Sequence, residues 1–257
     1  MRIAPEGWVV IVPFCLICLA LPSVAAVVLA VLGLTSLMAA VVGPLSFVAL
    51  VFIAWCLWFF RDPERNVPPG ENLLISPADG KVILVDTKPM PIELQGGAVG
   101  SEPVQRIAIF LNVFNVHVNR VPAGGTIEKV VYTPGQFVTA SLDKASTDNE
   151  RSSVLMRDEA GRLIGFAQIA GLVARRIVNH LKPGQRVSIG ERFGLIRFGS
   201  RAELFLPPGT AIAVKVGQHV VAGETILGTM APAGSTSTVR VPASAPAIAS
   251  ANLASAR

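Results

Sequence analysis

The start of the chain is almost entirely apolar. Residues 7–60 contain no Asp, Glu, Lys or Arg. A membrane-crossing helix needs about 20 consecutive apolar residues, so this uncharged run is long enough for two. It predicts helices near residues 8–30 and 38–60, joined by the turn "GLTSL" at 33–37. Aromatic residues stand at both outer ends of the pair, as they do at membrane interfaces.

The charges that flank this hairpin predict its orientation. Two crossings return both ends to one side, and Arg2, Arg61 and Arg65 lie at those ends. The positive-inside rule then places everything after residue 60 on the cytoplasmic side of the cell membrane. A cleaved signal peptide ending at "LPSVAA" is disfavoured because the apolar run continues without a break. A hairpin that only dips into one leaflet stays open, since Pro22 and Pro44 interrupt it.

Beyond the hairpin, the pattern changes to short apolar or alternating stretches. Turns rich in Gly and Pro bound the stretches at 81–86, 106–121, 126–133 and 202–206, which predicts strands. The stretch "AQIAGLVARRIVNHL" fits either one helix or two strands. We therefore predict a hairpin at 1–60 and a catalytic domain at 61–230. The Ala-, Ser-, Pro- and Thr-rich tail at 231–257 is predicted to be disordered.

An internal repeat refines the fold class. "GQRVSIGE" at 184–191 recurs as "GQHVVAGE" at 217–224. Glycines that bracket a short strand suit sharp corners, and the pattern resembles the hammerhead turns of biotinyl and lipoyl carrier domains. The lysine that such a carrier presents at a hairpin tip is missing, because only Lys215 lies in the interval. The prediction is a mainly β (α+β), sandwich-like domain with hammerhead-like turns, preceded by the α-helical membrane hairpin.

The composition of the chain indicates which classes of binding partner to expect. The chain is 51% hydrophobic, only 15% charged and carries a formal net charge of +5, so a basic domain beside a bilayer is attracted to anionic lipid headgroups. No nucleic-acid-binding module is present, which disfavours nucleic acid as a partner. All three cysteines lie in the apolar run, where they pack as small apolar residues. No clustered His/Cys set predicts a metal site.

Three separate residues could combine into a nucleophilic site. Asp79 in "SPADGKV", His117 in "NVHVNR" and Ser200 after Gly199 each fit an ordinary structural role, as a turn, a hydrogen-bonded strand histidine and a bulge. Together they supply a nucleophile, a base and an acid that orients the base. Attack by Ser200 on the Gly199 carbonyl, then β-elimination, would split the chain and leave a pyruvoyl group. Such a ketone condenses with amines and acts as an electron sink.

Five blocks carry a family resemblance. "WFFRDPERNVP", "ISPADGKV", "FLNVFNVHVNRVP", "GERFGLIRFGSR" and the following "LFLP" closely resemble the short bacterial type of phosphatidylserine decarboxylase proenzyme, over roughly residues 57–229. The resemblance implies self-cleavage into a larger β chain, 1–199, and a smaller α chain, 200–257. The α chain would begin with the pyruvoyl group made from Ser200, which forms a Schiff base with phosphatidylserine; the products are phosphatidylethanolamine and carbon dioxide, with no metal.

The resemblance also assigns side chains. Asp79 and His117 match the acid and the histidine that assist serine activation, and His117 would also handle the proton during decarboxylation. Longer relatives carry H-x-x-H here, and the second position in this chain is Arg120. A guanidinium stays protonated near neutral pH, so Arg120 is a candidate for binding the substrate phosphate or carboxylate. Arg151 in "DNERSS" is a second candidate headgroup contact.

Two other functions stay open at this point. A non-enzymatic membrane adaptor would remain one intact chain, with Gly199-Ser200 as a plain turn. A pyruvoyl decarboxylase for a soluble amine is the other, and the apolar anchor disfavours it. Assembly of the two cleaved chains into a higher oligomer is not decided by the sequence.

Overall fold

The N-terminal hairpin has the predicted form. The structure is a computed structural model that describes residues 2–140, 145–172, 176–197 and 199–232. The long helices are α1 (Trp8–Val31) and α2 (Met38–Phe59), and a third, α3, is one turn long (Ala145–Asp148). Short 3-10 turns lie at Pro5–Gly7, Thr35–Leu37 and Ile92–Leu94. Of the predicted tail, only residues 231 and 232 lie within the described part of the chain.

The two long helices present apolar side chains outward. Val9 is 73% exposed and Phe47 is 68% exposed. By length and composition, both helices could cross a membrane. An apolar surface of this extent marks a contact with a membrane or with another protein. This agrees with the predicted hairpin, within one residue at the end of each helix.

The rest of the described chain is built from strands. They are β1 (Leu73–Ile75), β2 (Gly80–Pro89), β3 (Pro103–Leu111), β4 (Val118–Arg120), β5 (Gly125–Thr133), β6 (Arg151–Asp158), β7 (Leu163–Ile169), β8 (Ile177–Asn179), β9 (Arg186–Val187), β10 (Arg192–Ile196), β11 (Ser200–Phe205), β12 (Ala211–Ile212), β13 (His219–Val220) and β14 (Ile226–Thr229). The mainly β class with an N-terminal hairpin is confirmed.

The strands form one large antiparallel sheet and two small ones. The large sheet has the order β13-β2-β3-β11-β7-β6-β5-β9, and the small sheets have the orders β1-β14-β12 and β4-β10-β8. Apolar side chains from the inner face of the large sheet and from both small sheets form one core, whose buried members include Ile109, Phe166, Leu204, Leu74, Leu227 and Phe193. The rings of Phe166 and Phe193 meet edge to face at 5.2 Å. The result is the predicted sandwich-like packing.

The two copies of the repeat form the two edge strands of the large sheet. These strands are β9 and β13, the two outermost. Gly184 and Gly217 both have left-handed backbones, with φ of 82° and 93°, which glycine adopts without strain. Each donates its N–H to the carbonyl of an adjacent strand, Ile127 and Val82 respectively. The repeat thus makes equivalent corners at opposite edges.

The stretch at 167–181 contains two strands. Strand β7 ends at Ile169 and β8 begins at Ile177, with residues 173–175 outside the described part. Six of the seven residues of β7 are buried, on both faces of the sheet. A strand buried on both faces has no alternation, which is why the sequence pattern did not distinguish it from a helix.

Candidate active site

The base of the hairpin packs directly on the β domain. The chain entering α1 pairs with the chain leaving α2, through Ala4 N–H to Phe60 O at 2.9 Å and Asp62 N–H to Arg2 O at 2.8 Å. At this base the ring of Phe59 lies 4.3 Å from that of His117, tilted by 30°. Arg197 donates to the carbonyl of Glu6 at 3.2 Å. The N-terminal hairpin therefore contacts both the predicted catalytic histidine and the segment that precedes the predicted cleavage point.

His117 is buried between two backbone carbonyls. Its Nδ1 lies 2.7 Å from Ile196 O and its Nε2 lies 3.0 Å from Asn112 O. Burial is the main cause that lowers the pKa of His117 to about 4; the two carbonyls act in the opposite direction, and the nearby Arg61 charge makes a smaller contribution in the same direction as burial. A neutral imidazole donates to only one carbonyl. The other nitrogen is thus free to accept a proton, and the second carbonyl would then stabilise the cation.

Ser200 is completely enclosed. It begins β11, pairs with Leu111 of β3, and is 0% exposed. Its Oγ has no hydrogen-bond partner in the described part of the chain. Gly199 before it has a left-handed backbone, with φ of 55°, and open space where a Cβ would stand. The predicted cleavage point therefore combines an unbonded hydroxyl with a backbone conformation that other residues adopt only with strain.

The carbonyl at the predicted cleavage point rests against a second glycine. A Cβ built on Gly171 would lie 1.6 Å from Gly199 O and 2.8 Å from Gly199 C. These distances are far inside van der Waals contact, so the backbone approach exists only because residue 171 has no side chain. Gly171 follows the end of β7, and its lack of a side chain leaves the space that the carbonyl occupies.

Asp79 is held by a cation and by the repeat. Both its carboxylate oxygens accept from Arg65 Nη2, at 3.0 and 2.9 Å, and Oδ1 also accepts from Ala222 N–H at 2.8 Å. The two side chains are only 12% and 13% exposed. Arg65 comes from the exit of the hairpin, and Ala222 from the second copy of the repeat. The carboxylate is consequently fixed in orientation.

The three predicted catalytic residues lie at the same end of the large sheet. Lys81 of β2 and Arg201 of β11 both pair with Phe110 at the end of β3, one on each side. Neighbouring strands lie about 4.8 Å apart, so the backbones beside Asp79 and Ser200 are about 10 Å apart. His117 contacts Asn112, just past the end of β3. No hydrogen bond joins the three side chains to one another among the described residues.

The two predicted substrate arginines are engaged elsewhere. Arg120 donates to the carbonyls of Gly190 and Pro63, each at 2.9 Å, and lies 3.6 Å from Asp62. Arg151 is bound to both oxygens of Glu93, at 2.6 and 3.1 Å. These contacts give both residues a role in packing. Their contact with the substrate stays a prediction.

Sequence reasoning missed three contributors to this site: Phe59, Arg65 and Gly171. The first two lie in the block "WFFRDPERNVP", which signalled their importance without naming what they touch. Gly171 lies in none of the five blocks, and nothing in the sequence indicates its contact with Gly199. No group of three or more His, Cys, Asp or Glu side chains that could hold a metal ion occurs in the described ranges.

Comparison with known proteins agrees with this geometry. The family profile for phosphatidylserine decarboxylase matches residues 52–228. A phosphatidylserine decarboxylase proenzyme from Paramagnetospirillum magneticum is 55% identical over 185 residues, which are 72% of this chain and 76% of that protein. The family match covers the hairpin exit, all three sheets and the predicted cleavage point. The resemblance inferred from the sequence blocks is confirmed: the chain belongs to the phosphatidylserine decarboxylase family.

Proposed function

We propose that this chain is a self-cleaving proenzyme whose mature form converts phosphatidylserine to phosphatidylethanolamine and carbon dioxide. Family membership makes it a decarboxylase. The observation that carries the proposal is the buried, unbonded hydroxyl of Ser200 directly after the left-handed Gly199. A pyruvoyl group derived from Ser200 fits this position, because the neutral His117 lies at the same end of the sheet.

Cleavage would proceed through an ester. Ser200 Oγ loses its proton to His117 and attacks the Gly199 carbonyl carbon. The C–N bond between the two residues breaks, and the nitrogen takes up a proton. Removal of the Ser200 Cα proton then breaks the Cβ–Oγ bond, which frees Gly199 as a carboxylate and leaves dehydroalanine. Tautomerisation and addition of water release ammonia and leave the pyruvoyl ketone at residue 200.

Cleavage must come before decarboxylation. Ser200 is 0% exposed in the uncut chain, so a headgroup has no access to it. A cleft of about 770 Å³ is lined by residues such as Asn72, Arg162 and Arg186 and includes none of the three predicted catalytic residues. Breaking the bond after Gly199 would free the end of the larger chain and open a path to residue 200.

The two products of cleavage should stay together. Strand β11, which would begin the smaller chain, lies between β3 and β7 and pairs with both along its length. Its inward side chains Ala202 and Leu204 belong to the core. The mature enzyme is therefore proposed to be a noncovalent heterodimer of chains 1–199 and 200–257.

In the mature enzyme, the pyruvoyl group and the side chains around it have different roles. When present, the pyruvoyl ketone condenses with the amine of the headgroup and draws off the electrons released as carbon dioxide leaves. His117, neutral and with one nitrogen able to take a proton, is the proposed carrier of the proton that replaces the carboxylate. Asp79, whose carboxylate is fixed by Arg65, lies at the same end of the sheet and is proposed to assist the activation of Ser200.

The hairpin would bring the site to its substrate. Arg61 stacks on Trp58, 4.3 Å from the ring centroid, and donates to Phe114 O at 2.8 Å. Trp58 and Phe114 are 51% and 64% exposed, which suits a membrane interface. Anchoring raises the effective concentration of a lipid substrate. We propose that both helices cross the cell membrane, with the β domain on the cytoplasmic side.

The reaction can be tested with lipid and soluble substrates side by side. The purified protein should release carbon dioxide from carboxyl-labelled phosphatidylserine in mixed micelles, and far less from free serine. Ser200→Ala should be inactive, while Ser101→Ala, a substitution at an exposed serine, should match the wild type. Equal activity on free serine would contradict a lipid substrate, and an active Ser200→Ala would refute the proposed group.

A further inference from the structure

Gln168 is a second buried polar residue on the face that carries Ser200. It lies in β7 and pairs with Ala202 of β11. Side chains two residues apart on a strand point to the same face, so Gln168 and Ser200 share the inner face of the large sheet. Diagonal neighbours of this kind are about 7–8 Å apart, within reach of a long side chain. Gln168 is 1% exposed.

Two backbone carbonyls determine how the Gln168 amide is oriented. Asn119 Nδ2 donates to Pro77 O at 3.3 Å, which turns Asn119 Oδ1 toward Gln168. Gln168 Nε2 donates to that oxygen at 2.9 Å and to Val178 O at 3.2 Å. If the Gln168 amide were flipped, its oxygen would face two acceptors, Asn119 Oδ1 and Val178 O. Only the present orientation gives Nε2 its hydrogen bonds. Oε1 is consequently directed away from both partners.

Gln168 Oε1 and Ser200 Oγ share an unusual state. Both atoms are buried without a hydrogen-bond partner among the described residues. Buried polar atoms in native proteins are nearly always bonded, and an exception needs an explanation. The unbonded Ser200 Oγ is accounted for as the proposed nucleophile of self-cleavage. Gln168 Oε1, on the neighbouring strand and the same face, is explained if it serves a ligand that reacts at residue 200.

We propose that Gln168 Oε1 accepts a hydrogen bond from the amine nitrogen of the substrate headgroup as it reacts at residue 200. This rests on the proposed function and adds a residue that selects the orientation of the headgroup. An amide oxygen only accepts, and the serine headgroup offers one donor group, its amine. The carboxylate and phosphate only accept, so Oε1 repels them. Gln168 therefore directs the amine toward residue 200 and the carboxylate away from β7.

The test separates binding of the amine from self-cleavage. Gln168→Met keeps the length of the side chain and removes the acceptor. Asn119→Leu removes one of the two acceptors of Gln168 Nε2 but keeps the Oε1 atom and the second acceptor, Val178 O, so it is the matched control. Each protein is incubated with a series of ethanolamine concentrations and cyanoborohydride, and the mass of chain 200–257 reports the fraction that carries the amine. Cleavage is followed separately by the masses of the two chains.

We expect Gln168→Met to be cleaved like the wild type. It should need about 10- to 100-fold more ethanolamine for half-maximal trapping, as expected for loss of one hydrogen bond to a charged partner. Asn119→Leu should shift that concentration by less than about threefold.

Three results would overturn the inference. Half-maximal trapping of Gln168→Met at the wild-type concentration would show that Oε1 does not bind the amine. An equal shift in Asn119→Leu would make the effect structural, and loss of cleavage in Gln168→Met would make Gln168 a processing residue. If the wild type itself stays uncut and traps no amine, the proposed function fails as well, which distinguishes that failure from the other three.

Discussion

Replacing Gly171 with alanine should slow self-cleavage strongly without unfolding the protein. The new Cβ would lie 1.6 Å from Gly199 O, whereas real Cβ contacts below 3.0 Å are essentially never seen. The carbonyl and the methyl group must therefore move apart by more than an ångström. Gly171 lies beyond the end of β7 at Ile169, so the strand pairing of the sheet does not have to change.

The expected size of the effect follows from that displacement. Misplacing reacting groups by about 1 Å costs roughly 100-fold in rate. The half-time of cleavage in Gly171→Ala should thus rise by about 100-fold or more, while overpacking lowers the free energy of unfolding by about 1–3 kcal/mol. Cell-free synthesis in detergent micelles, sampled over time on denaturing gels, measures the conversion of one chain into two. Thermal unfolding of the same protein in a Ser200→Ala background measures the stability.

Gly100→Ala is the matched control. A Cβ at residue 100 would have one ordinary contact, at 3.8 Å from Glu102 N, so this variant should be cleaved at the wild-type rate. Cleavage of Gly171→Ala within about threefold of the wild type would show that the position of the Gly199 carbonyl does not control the reaction. Complete loss of the folded protein would show that the contact is needed for folding instead.

Three further predictions concern the groups around the cleavage point. Arg65→Gln should slow cleavage and lower the free energy of unfolding by about 2–3 kcal/mol, because it leaves the carboxylate of Asp79 without its cation. Arg186→Gln, at an exposed ion pair, should change the free energy of unfolding by less than about 0.5 kcal/mol. Equal effects of the two variants in denaturant unfolding would contradict the role of Arg65. Because burial lowers the pKa of His117 to about 4, the cleavage rate measured over a pH series should stay constant from pH 8 to about 5 and fall by half near pH 4. A midpoint near pH 6.5 would argue against the buried His117 as the base. Phe59→Leu, which removes the ring stacked on His117, should slow cleavage several-fold in the same gel assay. Phe47→Leu, at an exposed position of α2, should leave the cleavage rate unchanged. Identical rates for the two variants would show that the contact of Phe59 with His117 does not affect cleavage.

The same pKa shift also makes stability depend on pH. The unfolded chain takes up the His117 proton near pH 6.5, and the folded chain near pH 4. Between these values the unfolded state binds more protons, so this contribution is complete above pH 6.5 and is lost as the pH falls toward 4. The total is about 3 kcal/mol, at 1.36 kcal/mol per pKa unit. Replacing His117 with Asn should flatten that part of the stability profile, measured by denaturant unfolding in a Ser200→Ala background.

Features that depend on local sequence were predictable. The hairpin follows from the length of an uncharged run, and the corners of the large sheet follow from the spacing of glycines in the repeat. The strand at 163–169 was not distinguishable from a helix, because both its faces are buried and its hydrophobic pattern has no period. The division of the chain at residues 60 and 230 stays a prediction.

Contacts between distant segments were not predictable. Nothing in the sequence indicates that Arg65 binds Asp79, or that Gly171 lies against Gly199. Arg120 shows the converse. Its place in the histidine block suggested a ligand contact, whereas its guanidinium binds one backbone carbonyl in the repeat, Gly190 O, and one at the hairpin exit, Pro63 O. Such pairings depend on how the sheets pack, and chemistry at single positions does not reveal them.

The most direct test of the central claim is the intact mass of the purified protein beside Ser200→Ala. We expect two chains for the wild type, divided after Gly199, with the smaller chain beginning at residue 200 and bearing a ketone in place of an amine. Ser200→Ala should remain a single 257-residue chain. A wild type that also remains one chain, with no ketone, would contradict the account and leave Gly199-Ser200 as a simple turn.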